Sequence, residues 1–387
     1  MTVERTLVMT LCTLSLGSWM SGCSFLRPPL ANTSPQIGVP TSASNSPNSN
    51  ISKNITPADR AIPHYKHIFT IVAENKGYAQ IIGSPNAPRI NQFAKTYGLA
   101  SNFYGEVHPS EANYVAMLGG SNFGIHDDDA FYCQSASSDA FCPHAHKPDY
   151  ANHTITAKSL LDQLKQKGLT WKGYFENLPA PGSKAVVFPS GIRALYAVKH
   201  NGFMNFKSVQ DAPDLTQKIV GLDRLSTDLK SGKVPNYSQI ILNQCHEMHG
   251  LAECPNQDRL IQTGDAQIGK VVDQIMKSTI WSLPDNSAIV LTWDEDNNPA
   301  QKTDPQGCCG FDPKGSTNFG GGHIATIVIT NHGARGIVDP TPYNHYSLLR
   351  TTEDALGIYE YLNEAGDLDK GVKPMKKLFA LPVTRMN

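Results

Sequence analysis

Acidic and amide side chains stand directly after two apolar runs of this 387-residue chain. Glu74 and Asn75 follow the first run, and Asp294 and Glu295 follow the second. Carboxylate and amide oxygens are the ligands that hard divalent cations prefer. A single run of this kind favours a solvated loop, because acidic residues often follow strands. Several runs that end in this way favour one cation site built from all of them.

A third apolar run, at 238–242, leads into His246, Glu247 and His249. His323 follows three glycines and stands just before a fourth apolar run. Histidine titrates near neutral pH, so these side chains suit charge stabilisation and proton transfer. The sequence therefore predicts a site where the ends of these runs meet.

Ser110 precedes a helix-like apolar segment at 111–119, and this position allows two interpretations. In the simpler one, the serine is only the N-cap of that helix. In the other, Ser110 is a nucleophile, because the free N–H groups of a helix start favour phosphate and a bound metal helps a hydroxyl to ionise. His108, two residues earlier, could then contact the leaving group or the phosphoryl oxygens.

Apolar runs alternate with helical patterns along the chain. The predicted strands are 67–73, 99–104, 170–175, 238–242, 287–293 and 324–330, and the predicted helices are 88–97, 111–119, 157–167, 258–278 and 347–357. Such alternation predicts an α/β fold, a three-layer sandwich with a mainly parallel central sheet. Ligands of such sheets bind at the carboxyl ends of the strands, which is where the polar residues stand.

The N-terminal residues resemble an export signal. Residues 1–22 have a short polar start with Arg5 and an apolar stretch that is too short to span a bilayer. The sequence MSGC, which ends at Cys23, resembles a bacterial lipoprotein cleavage box, and this predicts acylation of Cys23 and a lipid anchor in the bacterial cell envelope, facing the periplasm or the exterior. An ordinary signal peptide with an incidental cysteine is the alternative. Residues 23–63 are rich in Ser, Asn, Pro and Thr and predict a disordered tether, which leaves 64–387 as the folded domain.

Charge and cysteine content narrow the class of protein. The chain has 33 Lys and Arg against 34 Asp and Glu, which gives no indication of a nucleic-acid partner. Six cysteines follow residue 23, and an even number in an exported chain favours disulfides. The spacing suggests Cys133–Cys142, Cys245–Cys254 and a vicinal bridge between Cys308 and Cys309. A zinc site is the weaker alternative, because the chain has no paired CxxC motif.

Three further stretches carry groups that could bind or support a ligand. The acidic segment at 126–131 predicts a solvated loop, with a cation site as the alternative. His144 and His146 stand near Cys142, and we expect them to belong to a surface loop closed by a disulfide rather than to a zinc site. His345 opens the last predicted helix and either caps it or supports the site.

Five segments occur in an order that resembles a known family. They are AENKGY, HPSEANYVAMLGGSNFGI, TWDEDNN, GGGHIATIVIT and YNHYSLLRTTEDALG. Together they resemble the phosphoesterase family of bacterial and fungal acid phosphatases and phospholipases C, over about 67–357. That family is similar in fold to the alkaline phosphatases, so the resemblance implies an alkaline-phosphatase-like domain.

The resemblance implies a role for each matching residue. It implies metal ligands at Glu74, Asn75, Ser110, Asp294 and Glu295. Ser110 matches the nucleophile, His249 and His323 match catalytic and phosphate-binding histidines beside His108, and Asn75 matches a phosphate-contacting amide. His246 and Glu247 match the family less well. The second-zinc Asp-His pair of the alkaline phosphatases is absent from the motifs, which implies one divalent cation.

These roles predict a metal-dependent phosphomonoesterase of the acid phosphatase type, acting on a small phosphate ester through a phosphoserine intermediate. The first alternative is a phosphodiesterase of the phospholipase C type. Both enzymes would use the same core, and loops such as 120–155 and 178–210 would set the substrate. Phospholipases of the family usually carry further C-terminal domains, so we expect the phosphatase. The alternative of another class is a non-catalytic surface-binding lipoprotein.

Overall fold

The computed structural model describes residues 62–297, 306–310 and 320–382. The predicted signal peptide at 1–22, the predicted anchor at Cys23 and all but the last two residues of the predicted tether lie outside these ranges. Within them, the chain has no helix with both the length and the apolar character that crossing a membrane requires. Ile62 is already buried in the core.

The strands and helices alternate through most of the described chain. The strands are β1 (His67–Ala73), β2 (Gly98–Tyr104), β3 (Trp171–Phe175), β4 (Val187–Phe188), β5 (Tyr196–Ala197), β6 (Ile219–Gly221), β7 (Tyr237–Ile241), β8 (Ser287–Trp293), β9 (His323–Thr330), β10 (Ile337–Asp339) and β11 (Tyr343–Asn344). The helices are α1 (Tyr78–Ile81), α2 (Pro88–Thr96), α3 (Glu111–Gly119), α4 (Leu160–Gln166), α5 (Lys207–Gln210), α6 (Leu215–Lys218), α7 (Asp223–Ser231), α8 (Gln257–Met276), α9 (His345–Ala355) and α10 (Lys376–Phe379).

One large sheet organises the domain. Its strand order is β10-β2-β9-β8-β1-β7-β3-β6, and β11 pairs with β2. Strand β9 runs antiparallel to both of its neighbours, whereas the other described pairs of this sheet are parallel. The carboxyl ends of β1, β2, β7 and β8 and the first residue of β9 therefore lie along the same edge.

The central strands are covered on both faces. Every residue of β1, β7 and β8 is buried, which requires packed elements above and below the sheet because side chains alternate between its faces. Helices α2 and α8 pack together, and α3 and α9 form another pair. The predicted three-layer α/β fold with a mainly parallel sheet is confirmed.

The long predicted elements are present with boundaries shifted by a few residues. Five further strands and the nine-residue helix α7 are missing from the prediction. The missing strands have two or three residues each, and they exist because a partner strand lies beside them rather than because of a local pattern.

Three disulfides join the six described cysteines. The bonds are Cys133–Cys142, Cys245–Cys254 and the vicinal pair Cys308–Cys309. All three predicted pairings are confirmed. The first two close loops that stand near the edge of the sheet where the polar residues lie.

Close backbone packing explains the glycines that precede His323. The N–H of Gly105, directly after β2, donates to the carbonyl of Gly322 at 3.0 Å, and the N–H of Gly321 donates back to the carbonyl of Gly105 at 3.0 Å. A Cβ on Gly105 would stand 2.7 Å from the carbonyl oxygen of Asp294. Side chains are excluded here, so three loops can meet at the edge of the sheet.

We expect Gly105→Ala to lower the free energy of unfolding by about 1–3 kcal/mol, because the added methyl group contacts backbone that cannot move aside easily. Urea denaturation measures the change. Gly366→Ala is the matched control, since the nearest atom to its added Cβ is 3.5 Å away. Equal stability of the two variants would contradict the packing described above.

Candidate active site

Main-chain hydrogen bonds bring three buried carboxylates together at the ends of β1, β7 and β8. The N–H of Asp294 donates to the carbonyl of Ala73 at 3.0 Å, and the N–H of Glu74 donates to the carbonyl of Glu247 at 2.7 Å. The N–H of Asn75 donates to Oδ1 of Asp294 at 3.0 Å. Glu74 and Asp294, predicted from separate apolar runs, therefore lie side by side.

Glu74 is the centre of the hydrogen-bond network. Its Oε2 accepts from Ser110 Oγ at 3.1 Å and from Asn75 Nδ2 at 2.9 Å, and its Oε1 accepts from Tyr114 Oη at 2.6 Å. Glu74 is fully buried, and Ser110 is almost so. The structure thus brings together Glu74, Asn75, Ser110 and Asp294 from three segments of the chain.

The serine does not cap the helix that follows it. Ser110 occupies the N-cap position of α3, but its backbone is already helical and its hydroxyl makes no capping hydrogen bond. The hydroxyl is directed to Glu74 instead. The interpretation of Ser110 as only a helix cap is therefore wrong.

His200 links two of the carboxylates and was not predicted. Its Nδ1 lies 2.6 Å from Oε1 of Glu247, and its Nε2 lies 3.3 Å from Oε1 of Glu74. Burial, followed by the charges of Lys199 and His249, holds the pKa of His200 well below its usual value. These two distances place the imidazole ring of His200 between the carboxylates of Glu247 and Glu74.

Lys199 supplies positive charge beside His249. Its Nζ donates to Oδ2 of Asp128 at 2.9 Å and lies 3.3 Å from Nε2 of His249. Nδ1 of His249 donates to the carbonyl of Gly250 at 2.9 Å, which leaves Nε2 as an acceptor. Burial and then the nearby Lys199 lower the pKa of His249 to about 4. Burial lowers the pKa of Lys199, but Asp128 and Glu74 outweigh it and raise that pKa above its usual value.

The carboxylates shift one another's titration. Burial, followed by the charges of Asp294 and Glu247, raises the pKa of Glu74 well above its usual value. Burial and then Asp294 act on Glu247 in the same direction, and burial raises the pKa of Asp294 to about 6. Such a concentration of buried acids favours either bound protons or a bound cation.

The donor atoms at this place fit a hard divalent cation. Oδ2 of Asp294 is buried and has no hydrogen-bond partner among the described residues. One atom each of Glu74, His200 and His249 lie within 4.8 Å of one another, and Oγ of Ser110 lies beside Glu74. Carboxylate, hydroxyl and imidazole donors are all usual ligands of divalent metals.

Glu295 and His108 form an adjoining ion pair. Nδ1 of His108 lies 2.8 Å from Oε2 of Glu295, and its Nε2 lies 3.6 Å from Oδ1 of Asp296. Burial lowers the pKa of His108, but hydrogen bonds to Asp296 and Glu295 outweigh it and raise that pKa to about 10. Asn113 Nδ2 lies 3.4 Å from the same Oε2 of Glu295. The carboxylate of Glu295, a predicted metal ligand, therefore contacts His108 in this structure.

His323 lies at the same edge of the sheet but is held by other groups. Its ring stacks on Tyr78 with centroids 4.4 Å apart, and its Nε2 donates to the carbonyl of Ser101 at 3.0 Å. Burial lowers the pKa of His323. The antiparallel direction of β9 is what brings this residue to the edge.

His345 supports the site, and Asn344 provides the helix cap. Oδ1 of Asn344 accepts from the N–H of Ser347 at 3.0 Å, whereas Nε2 of His345 donates to the carbonyl of Asp294 at 2.7 Å. Of the two roles open for His345, the structure therefore selects the supporting one.

The prediction of a solvated acidic loop at 126–131 is wrong. Asp127 and Asp129 are buried, and His144 Nδ1 lies 2.7 Å from Oδ1 of Asp129. His153 bridges Asp127 at 2.9 Å and Glu111, next to Ser110, at 2.9 Å. Asp127, Asp129 and His144 are close enough to hold a metal ion, but their polar atoms already contact each other and His153. His146, by contrast, is exposed.

Sequence reasoning missed three site residues, and only one of them had a usable signal. Tyr114 stands four residues after Ser110 in a helix, so both face the same side and could have been predicted together. Lys199 and His200 lie in a short 3-10 turn after β5, where no periodic pattern precedes them. His246 lies outside the cluster and pairs with Glu176 at 2.8 Å, whereas Glu247 is inside it.

Comparisons with known proteins show what this chain is similar to. The model of the phosphoesterase family matches residues 84–359, a range that contains Ser110, Asp294 and His323. A Mycobacterium tuberculosis protein named phosphatidylinositol-3-phosphatase is 28% identical over 305 residues, which are 78% of this chain and 80% of that protein. A probable acid phosphatase of Kluyveromyces lactis is 23% identical and aligns over 75% of this chain, but the alignment spans only 58% of the yeast protein. A Vibrio parahaemolyticus structure described as belonging to the alkaline phosphatase superfamily aligns with a TM-score of 0.47 and 13% identity, over 78% of this chain and 68% of that one.

We expect Tyr114→Phe to lower the free energy of unfolding by about 1.5–3 kcal/mol, because it removes a buried hydrogen bond to a carboxylate. Tyr132→Phe is the matched control, since its hydroxyl contacts Asp139 at the surface, and we expect a loss of about 0.5 kcal/mol or less. Denaturant titration of both variants gives the comparison. A loss for Tyr114→Phe no larger than that of the control would show that this contact does not stabilise Glu74.

Proposed function

The chain belongs to the phosphoesterase family, a family of phosphoric ester hydrolases, and on that premise we propose that it is a metal-dependent phosphomonoesterase. The observation that carries the proposal is the contact of 3.1 Å between Oγ of Ser110 and Oε2 of Glu74. It sets a buried hydroxyl at the start of α3 among the carboxylates of the strand ends. A serine in such surroundings is suited to attack a phosphate ester.

Ser110 would form and then lose one covalent bond to phosphorus. Its Oγ attacks the phosphorus atom, its proton passes to Oε2 of Glu74, and the bond from phosphorus to the ester oxygen breaks. Water then attacks the phosphoserine, the bond from phosphorus to Oγ breaks while Oε2 of Glu74 returns its proton to Oγ, and inorganic phosphate leaves with the protons of the water. Free N–H groups at the start of α3 favour the charge that the phosphate carries.

The predicted cation would be held by Glu74, Asn75, Ser110 and Asp294. When bound, it would neutralise charge on the phosphoryl oxygens and lower the pKa of the serine hydroxyl. Asn75 is held in place because its backbone N–H is bonded to Asp294 and its side chain to Glu74. Glu295 would join this set only by giving up its contact with His108.

The leaving oxygen needs a proton, and two groups can supply it. His108, with its raised pKa of about 10, carries a proton at neutral pH. Lys199 also carries one and lies 3.3 Å from His249, so this pair can both bind phosphoryl oxygens and deliver a proton. His323 has a lowered pKa and a committed Nε2, which favours a positioning contact with the substrate over acid catalysis.

Small phosphate monoesters are the substrate class that we infer. Two relatives carry the name acid phosphatase, one the name phosphate-repressible acid phosphatase and one the name probable acid phosphatase, and the chain spans 58% or less of the length of each. The phospholipase C type of diester hydrolysis remains the second candidate, and hydrolysis of p-nitrophenyl phosphate, its bis-ester and phosphatidylcholine separates the two. A binding protein without catalysis would hydrolyse none of them. We place the enzyme outside the cytoplasm, anchored through Cys23.

We expect Ser110→Ala to lower kcat for p-nitrophenyl phosphate by at least about 10³-fold, because the variant has no nucleophile. Acid quenching during turnover, followed by mass spectrometry, should show a phosphate on the peptide that contains Ser110 in the parent chain. Ser84→Ala removes a serine between α1 and α2 and should leave kcat unchanged. Undiminished turnover in Ser110→Ala would overturn the mechanism.

We expect Asp294→Asn to lose the bound divalent metal, of which the parent chain should hold about one ion. The reason is that the carboxylate with the unpartnered buried oxygen becomes a neutral amide. Elemental analysis of the dialysed protein measures the metal, and thermal unfolding verifies the fold. Asp129→Asn, in the other His and Asp cluster, is the control that should retain it. Metal retained in Asp294→Asn and lost in Asp129→Asn would place the ion elsewhere.

A further inference from the structure

The hairpin of β4 and β5 carries an apolar tip that stands in water. Residues 188–193 are all exposed, and they include Phe188 at 43% and Ile192 at 80%. No other large apolar side chain of the described residues has as high an exposed fraction as Ile192. Contiguous exposed apolar surface marks contact sites for proteins or membranes, and Phe188 and Ile192 lie four positions apart (192 − 188) on one hairpin.

The base of this hairpin is firmly held, so its tip is not exposed by fraying. Phe188 pairs in register with Tyr196, which is buried and accepts a hydrogen bond from Asn201 Nδ2 at 3.0 Å. The N–H of Val198 donates to the carbonyl of Val186 at 2.7 Å. One side of the hairpin is therefore fixed in the core, while the other presents Phe188 to solvent.

The hairpin also stands next to the candidate active site. The carbonyl of Leu195 accepts from the N–H of Gln244 at 3.0 Å, and Arg193 pairs with Glu253 at 2.9 Å. Gln244 directly precedes the disulfide-closed loop that carries Glu247 and His249, and Glu253 lies within that loop. Ile192 precedes Lys199 by seven positions (199 − 192), so the two lie within about 25 Å.

We propose that residues 188–193 dock on a lipid bilayer and insert Phe188 and Ile192 below the headgroups. A rigid hairpin with two apolar side chains gains free energy from moving them out of water. The Arg193 side chain is 74% exposed, so at the membrane its guanidinium would exchange the carboxylate of Glu253 for anionic headgroups. The contact would hold the active-site edge of the sheet at the membrane surface.

The chain outside the structure favours a bilayer as the occupant. Residues 24–61 lie between the predicted anchor Cys23 and the described domain, and they number 38 (61 − 24 + 1). They could reach at most about 125 Å when fully extended. The described chain enters at the amino end of β1, and the seven residues of β1 cover only about 23 Å to the site edge. A domain anchored through Cys23 can therefore place the hairpin on the same membrane.

The test compares residues 23–387 carrying Cys23→Ser, a chain that has neither the predicted signal peptide nor an acylated cysteine, with the same chain carrying Phe188→Ser and Ile192→Ser. Binding to vesicles of equimolar phosphatidylcholine and phosphatidylglycerol is measured by sedimentation. We expect the hairpin variant to bind the vesicles at least about tenfold more weakly than the parent, because two apolar side chains are no longer buried in the bilayer. Val338→Ser with Leu368→Ser is the matched control, since these side chains are 60% and 56% exposed elsewhere on the domain. Its binding should equal that of the parent.

Two further readouts separate the outcomes. Ile192→Trp in the Cys23→Ser chain should show quenching by brominated lipid acyl chains, which reports insertion directly. Hydrolysis of p-nitrophenyl phosphate is measured in the parent chain, and its absence there would count against the proposed function, not the docking. Equal vesicle binding of parent and hairpin variant would overturn the docking proposal. A parent chain that dimerises through the tip in light scattering, with no vesicle binding, would also overturn it.

Discussion

Repulsion among Glu74, Glu247 and Asp294 is the constraint around which the site is built. The three carboxylates are buried at the ends of adjacent strands, where water cannot screen their charges. Backbone N–H groups, the hydroxyls of Ser110 and Tyr114, and the charge of Lys199 each offset part of the cost. Positive charge offsets such repulsion, and Oδ2 of Asp294 and both carboxylate oxygens of Glu247 are buried without a hydrogen-bond partner among the described residues.

The sheet makes the convergence possible, and the loops refine it. Parallel neighbours bring Glu74 and Asp294 to one edge without any special turn, because their strands end in register. The antiparallel strand β9 contributes from its start, and glycine-to-glycine packing lets its entry loop approach the end of β2. His345 then fixes the backbone of Asp294 from the helical layer. The positions of the acidic side chains thus follow from the topology, and their orientations follow from individual hydrogen bonds.

The sequence was sufficient for residues that a regular element places. Glu74, Asp294 and Ser110 could be predicted together because strand ends and helix starts have known directions in an α/β fold. Lys199 and His200 could not, since they lie on an irregular turn whose path depends on distant packing. The acidic segment at 126–131 was misjudged for a related reason. The burial of this segment depends on contacts with His144 and His153, which come later in the chain. No local sequence pattern reveals such partners.

The Cys245–Cys254 bond gives this architecture a dependence on its surroundings. It closes the loop that contributes Glu247 and His249. The position of these two residues therefore depends on a bond that reducing agents can break. A thiol-rich compartment such as the cytosol would leave that loop open, and an oxidising one would close it. Closure of the loop that carries Glu247 and His249 therefore depends on the redox state of the compartment in which the chain folds.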